Sequence, residues 1–153
     1  EGKGFFNLMN ELPRERLILA LGAVAACEGM IERTVTYTQE RQAFGQPISK
    51  FQNTRFVLAD LHAQVQVNKA FCAQCTDQYD RGELSTANAS IAKLTTTELQ
   101  GKVADQCLQL FGGYGYMKEY PISRDFVDAR IQRIYGGTSE IMKEIIARDI
   151  LGR

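Results

Sequence analysis

The sequence lacks tryptophan, contains a single histidine and has no excess of charge of either sign. Its 153 residues include 18 lysines plus arginines and 18 aspartates plus glutamates, so the formal net charge is zero. Nucleic-acid-binding and polybasic membrane-surface proteins depend on a basic excess, and the balance argues against both classes. No apolar run approaches the roughly 18 residues of a membrane span. A composition of 44% hydrophobic and 24% charged residues is instead typical of a soluble globular domain.

The four cysteines, Cys27, Cys72, Cys75 and Cys107, are too few and too scattered for a disulfide-rich secreted domain. Cys72 and Cys75 form one CxxC motif, but a zinc site would need a second pair or two histidines, and only His62 is present. We therefore predict no metal site and packed thiols in a reducing compartment. A stand-alone redox protein that uses Cys72 and Cys75 is an alternative.

Helical spacing of apolar residues dominates the chain, and proline and glycine mark its breaks. In the second helix, Leu61, Val65, Cys72 and Cys75 form part of one heptad-like seam. We find no convincing strand, so the sequence predicts an all-α fold: an antiparallel, up-and-down four-helix bundle with an extra short helix. The predicted helices run from Pro13 to about Gln39, Phe51 to Tyr79, about Leu84 to Leu110, Pro121 to about Ala129, and Thr138 to Ile150.

Two local features have ordinary interpretations when each is taken alone. The segment from Phe111 to Tyr116 is not a GxGxxG phosphate loop, because Lys118 stands where the third glycine would be. Glu15 follows Pro13 closely, so we expect it in the first turn of a helix. There the macrodipole would stabilise its carboxylate by about 0.3–1 kcal/mol.

Several blocks read in order give a more specific result. The blocks are Leu12-Pro13-Arg14-Glu15-Arg16-Leu17, Arg41-Gln42-Ala43-Phe44-Gly45-Gln46-Pro47-Ile48, Gln109-Leu110-Phe111-Gly112-Gly113-Tyr114-Gly115-Tyr116, Asp128-Ala129-Arg130-Ile131 and Tyr135-Gly136-Gly137-Thr138-Ser139-Glu140-Ile141. With these blocks in this order, the chain resembles the C-terminal helical domain of the acyl-CoA dehydrogenase family, and is most similar to its long-chain branch.

This resemblance implies FAD-dependent α,β-dehydrogenation of a fatty acyl-CoA thioester, with a glutamate that removes the α-proton. In the medium- and short-chain branch the glutamate follows the tyrosine of a Tyr-Glu-Gly-Thr-Ser block, where this chain has Gly136. In the long-chain and isovaleryl branches the base lies on the first helix of the domain, in a position that Glu15 matches. The resemblance therefore assigns Glu15 as the catalytic base.

Other roles follow from the same resemblance. Arg16, Tyr135 and Gly136 would bind substrate, with the Gly136 N–H on the thioester oxygen and Tyr135 lining the acyl channel. The FAD contacts would come from Arg41, Phe44, Gln109, Gly113, Thr138 and Glu140, the first four reaching the adenosine and pyrophosphate side from a neighbouring subunit. An arginine suits a phosphate because its planar fork donates paired hydrogen bonds.

The family also implies partners and a domain organisation. We expect acyl-CoA as substrate, electron-transferring flavoprotein as electron acceptor and a homotetramer built as a dimer of dimers, in bacterial cytoplasm or the mitochondrial matrix. Residues 1–11 would be the exit segment of a middle β-domain missing from the sequence, residues 12–153 the helical domain, and the isolated chain inactive. An isovaleryl-like, branched-chain dehydrogenase and a non-catalytic helical oligomerisation module are the alternatives.

Overall fold

The computed structural model describes residues 2–152 and contains five α-helices. These are α1 (Gly4–Glu40), α2 (Gln52–Asp80), α3 (Thr86–Phe111), α4 (Pro121–Ile131) and α5 (Ser139–Leu151), with short 3₁₀ helices at Ile48–Lys50 and Gly112–Tyr116. The helices α1, α2, α3 and α5 form a bundle, and α4 is the extra short helix. The all-α fold class is therefore confirmed.

Side-chain contacts between helices fix their directions. Lys102 of α3 bonds Asp60 of α2 at 3.0 Å, whereas Asn88, near the start of α3, bonds Gln78, near the end of α2. These two contacts make α2 and α3 antiparallel. The Tyr37 hydroxyl at the end of α1 donates to the Phe111 carbonyl at the end of α3 at 3.2 Å, so α1 and α3 run parallel.

Helix α3 lies at the centre of the bundle and contacts all the other helices. Its buried face is built largely of small and polar residues, which let neighbouring helices approach closely. The buried hydroxyls of Thr96 and Thr97 do not remain unpaired, because they donate to the carbonyls of Ala92 and Lys93 at 2.7 and 2.8 Å. Larger apolar side chains from α1 and α2, such as Met30 and Leu61, fill the space around it.

The four cysteines are buried and free, as expected for packed thiols. Burial raises the pKa of Cys27 to about 12 and that of Cys72 to about 11. These thiols therefore stay protonated near neutral pH, and the thiolate is the reactive form of cysteine. The structure offers no physical basis for a redox role of Cys72 and Cys75.

The predicted start of the first helix at Pro13 is wrong, because α1 already begins at Gly4 and Pro13 lies inside it. Proline removes one hydrogen bond to the carbonyl four residues earlier, but that residue, Met9, is 47% exposed and water can solvate its carbonyl. Glu15 consequently lies about three turns inside α1, away from the favourable end of the macrodipole. Part of the predicted exit segment, from Gly4 onward, continues into the bundle as one helix, and Glu1 lies outside the described residues.

A short hairpin corrects the expectation that the chain has no strand. Strands β1 (Gln42–Ala43) and β2 (Gln46–Pro47) pair antiparallel, with Gln42 opposite Pro47. The two turn residues, Phe44 and Gly45, have φ values of 51° and 80°. Two consecutive positive φ values are the requirement of a type I′ turn, in which a phenylalanine at the first position is unusual.

Within residues 2–152, none of the helices combines the length and the apolar character that a bilayer span requires.

The burial pattern of α2 gives a matched test of the fold. Val65 is 1% exposed and Val67 is 71% exposed on the same helix. We expect Val65→Ala to lower the free energy of unfolding by about 2 kcal/mol, through lost transfer energy and a cavity. Val67→Ala should change it by less than about 0.5 kcal/mol. Urea titration of the two variants measures both, and equal losses would contradict the assigned face of α2.

Candidate functional site

The turn between α4 and α5 packs against the first helix. We call residues Tyr135–Thr138 the Gly136 turn. Gly136 and Gly137 have φ values of +64° and +106°, a region that favours glycine. Their carbonyls face the bundle: Arg16 of α1 donates its Nε–H to the Gly136 carbonyl at 3.4 Å, and Lys93 of α3 donates to the Gly137 carbonyl at 2.7 Å.

Leu19 of α1 occupies the space that a side chain at position 136 would need. A Cβ atom on Gly136 would lie 2.5 Å from Leu19 Cδ1, well inside van der Waals contact. Glu15 precedes Leu19 by four residues, so the two share one face of α1. The structure thus brings Glu15, Arg16 and Gly136 to one corner of the bundle, and Glu15 is exposed there.

Arg16 is almost completely enclosed, with 4% of its surface exposed. Burial lowers the pKa of the Arg16 guanidinium, and the neighbouring Glu15 carboxylate opposes that shift. Arginine nevertheless stays charged under ordinary conditions, so this corner contains a permanent buried cation. Its Nε–H is committed to the Gly136 carbonyl.

The first turn of α5 supplies the remaining predicted residues of this corner. Thr138 is the N-cap, and its hydroxyl oxygen accepts from the Ile141 N–H at 3.4 Å, which confirms the predicted start of the helix. Glu140 follows within the first turn. Its own backbone N–H and then the Thr138 hydroxyl lower the pKa of the Glu140 carboxyl, so the group is anionic at neutral pH. Tyr135 is partly exposed, and its hydroxyl donates to Gln132 at 2.7 Å.

A second set of predicted residues lies at the other end of α1. Arg41, Gln109 and Gly113 line one groove of about 570 Å³, which we call the Arg41 groove. The Arg41 guanidinium lies 5.4 Å from the centre of the Tyr114 ring, close enough for a cation–π interaction. The groove thus offers an exposed cation, an amide side chain, aromatic surface and glycine backbone, a combination that suits a nucleotide. Its remaining lining residues are Tyr37, Ile48, Leu110, Phe111, Gly112 and Met117.

Phe44 is presented to solvent beside this groove. It is 96% exposed at the tip of the hairpin, and its only aromatic neighbour among residues 2–152 is Phe51, edge-to-face at 6.2 Å. A bulky residue with positive φ costs about 1–3 kcal/mol, and such strain is concentrated at functional positions. An exposed phenyl ring held in this way suits contact with a ligand or another chain.

The two sets of residues are far apart within one chain. Arg16 and Arg41, the C-cap residue of α1, are 25 residues apart, which corresponds to a helix rise of about 37 Å. Residues near the Gly136 turn and residues of the Arg41 groove therefore belong to two different places on the surface.

Sequence reasoning missed three residues that hold the Gly136 turn: Leu19, Lys93 and Glu98. Glu98 accepts from the Ser139 hydroxyl at 2.6 Å and from Arg133 at 3.2 Å. The sequence does indicate that Lys93 is buried, because it stands four residues after Ala89 and four before Thr97, on the face of α3 that carries small residues. The positions of Leu19 and Glu98 depend on how the helices pack, which no local pattern reports.

No group of three or more histidine, cysteine, aspartate or glutamate side chains among residues 2–152 is arranged to hold a metal ion.

The close contact at Gly136 predicts that replacing it with alanine destabilises the fold more than the same replacement at Gly113. Gly136→Ala should lower the free energy of unfolding by about 1–3 kcal/mol, because alanine is strained at positive φ and would also meet Leu19. Gly113→Ala is the control, since that position has ordinary φ and open space. Thermal or urea unfolding compares them. An equally mild effect at both positions would show that α1 does not press against the turn.

Comparisons with known proteins agree with this geometry. The family model described as "Acyl-CoA dehydrogenase, C-terminal domain" matches residues 2–151. The chain is 50% identical over 151 residues to the mitochondrial long-chain specific acyl-CoA dehydrogenase of Rattus norvegicus, covering 99% of this chain and 35% of that protein. The chain therefore spans about a third of the length of this relative.

Solved structures give the same result. An acyl-CoA dehydrogenase from Geobacillus kaustophilus superposes with a TM-score of 0.95 at 41% identity, covering 98% of this chain and 40% of the other. A glutaryl-CoA dehydrogenase from Mycobacterium smegmatis, in complex with FADH2, superposes with a TM-score of 0.89 at 27% identity, covering 93% and 37%. This chain belongs to the acyl-CoA dehydrogenase family, as a C-terminal helical domain.

Proposed function

We propose that the chain is part of an FAD-dependent dehydrogenase of long-chain fatty acyl-CoA thioesters, in which Glu15 is the base that removes the α-proton. One observation carries the assignment of the base. Position 136 holds a glycine whose side-chain space is filled by Leu19, and Glu15 lies one turn before Leu19 on the same helix face. Glu15 thus offers an exposed carboxylate beside Gly136, on the helix where the resemblance puts the base, whereas the other exposed carboxylate of this corner, Glu140, lies on α5.

The reaction sets clear demands on this corner. Removing the α-proton of a thioester creates negative charge on the thioester oxygen, and hydrogen-bond donors aimed at that oxygen lower the barrier. The Gly136 N–H is such a donor. Arg16 supports the substrate site through the Gly136 carbonyl, and Tyr135 lines the acyl channel with its exposed ring.

FAD, when bound, would supply the acceptor for the β-hydrogen of the substrate, which leaves as a hydride. The residues present fit such a cofactor, because the Arg41 groove combines a cation, an amide and aromatic surface. Arg41 and Phe44 would hold the pyrophosphate and adenine side, with Gln109 and Gly113 on the adenosine. At the Gly136 turn, Thr138 at the N-terminus of α5 suits a phosphate or hydroxyl contact. Glu140, being anionic, suits a hydroxyl or N–H donor rather than a phosphate.

The Gly136 turn packs against Arg16, whereas the Arg41 groove lies at the far end of α1, about 37 Å of helix rise away. For this reason we propose that two copies of the chain complete each cofactor site. One copy contributes the Gly136 turn and the other contributes the Arg41 groove. This arrangement accords with a homotetramer built as a dimer of dimers. It also gives a reason for the exposure of Phe44, which would lie against the other copy's cofactor.

The remaining proposals follow from relatives. The 50% identity to a mitochondrial long-chain enzyme supports a long acyl chain as substrate. Electron-transferring flavoprotein would reoxidise the flavin, in the mitochondrial matrix or bacterial cytoplasm. A branched-chain, isovaleryl-like dehydrogenase shares the position of the base and is the second candidate, separated from the first by substrate preference. A purely non-catalytic oligomerisation module would not need the exposed carboxylate beside Gly136.

We expect Glu15→Gln to abolish α-proton removal in the full-length flavoenzyme. Glutamine keeps the shape of the side chain but cannot accept a proton, so the rate of flavin reduction should fall at least about 100-fold. Anaerobic bleaching of the flavin absorbance by acyl-CoAs of increasing length measures this rate. Glu11→Gln is the control, because Glu11 is an exposed glutamate one turn earlier on α1, paired with Arg14.

Three results are distinguishable in that experiment. Fast bleaching by long chains, lost only in Glu15→Gln while FAD stays bound, supports both substrate and base. Fast bleaching by short branched chains instead supports the second candidate. Undiminished bleaching in Glu15→Gln would show that the base lies elsewhere.

The isolated 153-residue chain should bind no flavin and show no turnover. It spans about a third of the relative's length, and we propose that the regions of the relative that it does not match correspond to most of the flavin contacts. Purification of the chain after expression, followed by absorbance spectroscopy between 350 and 500 nm (roughly the flavin range), tests this expectation. A yellow preparation with flavin bound in equal amount to protein would refute it.

A further inference from the structure

The bundle contains a completely buried lysine that the proposed chemistry does not use. Lys93 lies on the central helix α3, and none of its surface is exposed. Lysine is among the residues least often fully buried, because removing its charge from water is costly. No salt bridge to Lys93 is present among residues 2–152. Its hydrogen-bond partner is a backbone carbonyl, that of Gly137, at 2.7 Å.

The surroundings of Lys93 do not favour a charged ammonium group, because the buried Arg16 guanidinium is already nearby. Burial lowers the pKa of the Lys93 ammonium, and the nearby Arg16 guanidinium lowers it further, while Glu98 opposes both. An apolar side chain of similar volume would avoid these costs, as replacements of buried charges often do. Stability alone is therefore a poor explanation for a lysine at this position.

The two buried cations donate hydrogen bonds to the carbonyl oxygens of consecutive peptide groups. Arg16 bonds the carbonyl of Gly136, and Lys93 bonds that of Gly137. Two adjacent glycines are the most flexible backbone pair available, since neither has a side chain to restrict φ and ψ. A peptide group is planar, so holding these two oxygens fixes the planes that also contain the Gly137 and Thr138 N–H groups. The Gly136 N–H belongs to the preceding peptide group, which is joined to the first fixed plane through the Cα of Gly136. The turn is fixed again at Ser139, whose hydroxyl donates to Glu98 at 2.6 Å.

We propose that Lys93 is a positioning residue of the substrate site: by holding the Gly137 carbonyl, in partnership with Arg16, it fixes the two peptide planes that follow the Gly136 Cα, and so limits the directions in which the Gly136 N–H can point toward the thioester oxygen. This inference rests on the proposed function, because it needs a thioester at the Gly136 turn. Without Lys93, the glycine pair regains rotational freedom and the N–H is no longer preorganised. Preorganised donors act without reorganisation during the reaction, which is the source of their effect.

The test is a spectral measurement on the full-length flavoenzyme. A conjugated enoyl-CoA thioester absorbs at longer wavelength when its carbonyl oxygen accepts strong hydrogen bonds, so the shift on binding reports the polarisation of the oxygen. We compare wild type, Lys93→Met and the control Lys69→Met. Lys69 is an exposed lysine on α2 that pairs with Glu28, so its replacement makes the same change of charge far from the turn.

We expect Lys93→Met to retain FAD and to bind the probe, with most of the spectral shift lost. The kcat for flavin reduction should fall about 10- to 100-fold with little change in KM, as for a misplaced transition-state donor. Lys69→Met should match wild type in both. A full shift and normal kcat in Lys93→Met would overturn the proposal, whatever its melting temperature.

Two further results of this experiment also have a definite interpretation. If Lys93→Met does not retain flavin, the same shift is measured in Lys93→Gln, whose shorter neutral side chain weakens the contact with Gly137. A reduced shift there supports the proposal and an unchanged shift overturns it. If wild type itself neither shifts the probe nor is bleached by acyl-CoA, the proposed function fails, and the role of Lys93 fails with it. Bleaching with an intact shift in the variants rejects only the role of Lys93.

Discussion

The hydrogen bond from Arg16 to the Gly136 carbonyl joins the first helix to the turn before the last helix, across 120 residues of sequence. Much of the candidate site depends on this contact. It holds the face of α1 that carries Glu15 and Leu19 against the backbone of Gly136, and Leu19 fills the space that a side chain at position 136 would occupy. A larger residue at 136 would require the Leu19 side chain to move, and an apolar residue at 16 would leave the Gly136 carbonyl without this partner.

The second constraint is the composition of α3. Alanine, serine and threonine on the buried face of this central helix allow α1 to approach closely. The threonine hydroxyls donate hydrogen bonds to carbonyls of their own helix. Lys93 is the exception among these residues, since its charge reaches out of α3 to the Gly136 turn. A bundle filled only by large apolar side chains would offer no buried donor at this point. The polar core thus links the packing of the helices to the geometry of the site.

Much of the fold could be predicted because its boundaries have local causes. Pro121 and the Thr138 cap mark the starts of α4 and α5, and Gly82 follows the end of α2. The start of α1 was mispredicted because Pro13 is tolerated where the freed carbonyl meets water. The hairpin was missed because no local rule places Phe44 at positive φ. For the site, family blocks supplied Glu15 and Gly136, whereas Leu19, Lys93 and Glu98 became visible only when the helices were packed together.

The central claim is that α1, rather than the turn at position 136, presents the base to the substrate. A crystal structure of the full-length flavoenzyme with a bound, unreactive acyl-CoA analogue tests it most directly. We predict that the Glu15 carboxylate lies within about 3.5 Å of the α-carbon, the separation of reacting atoms in a productive complex. A carboxylate from any other position at that distance, with Glu15 turned toward solvent, would contradict it.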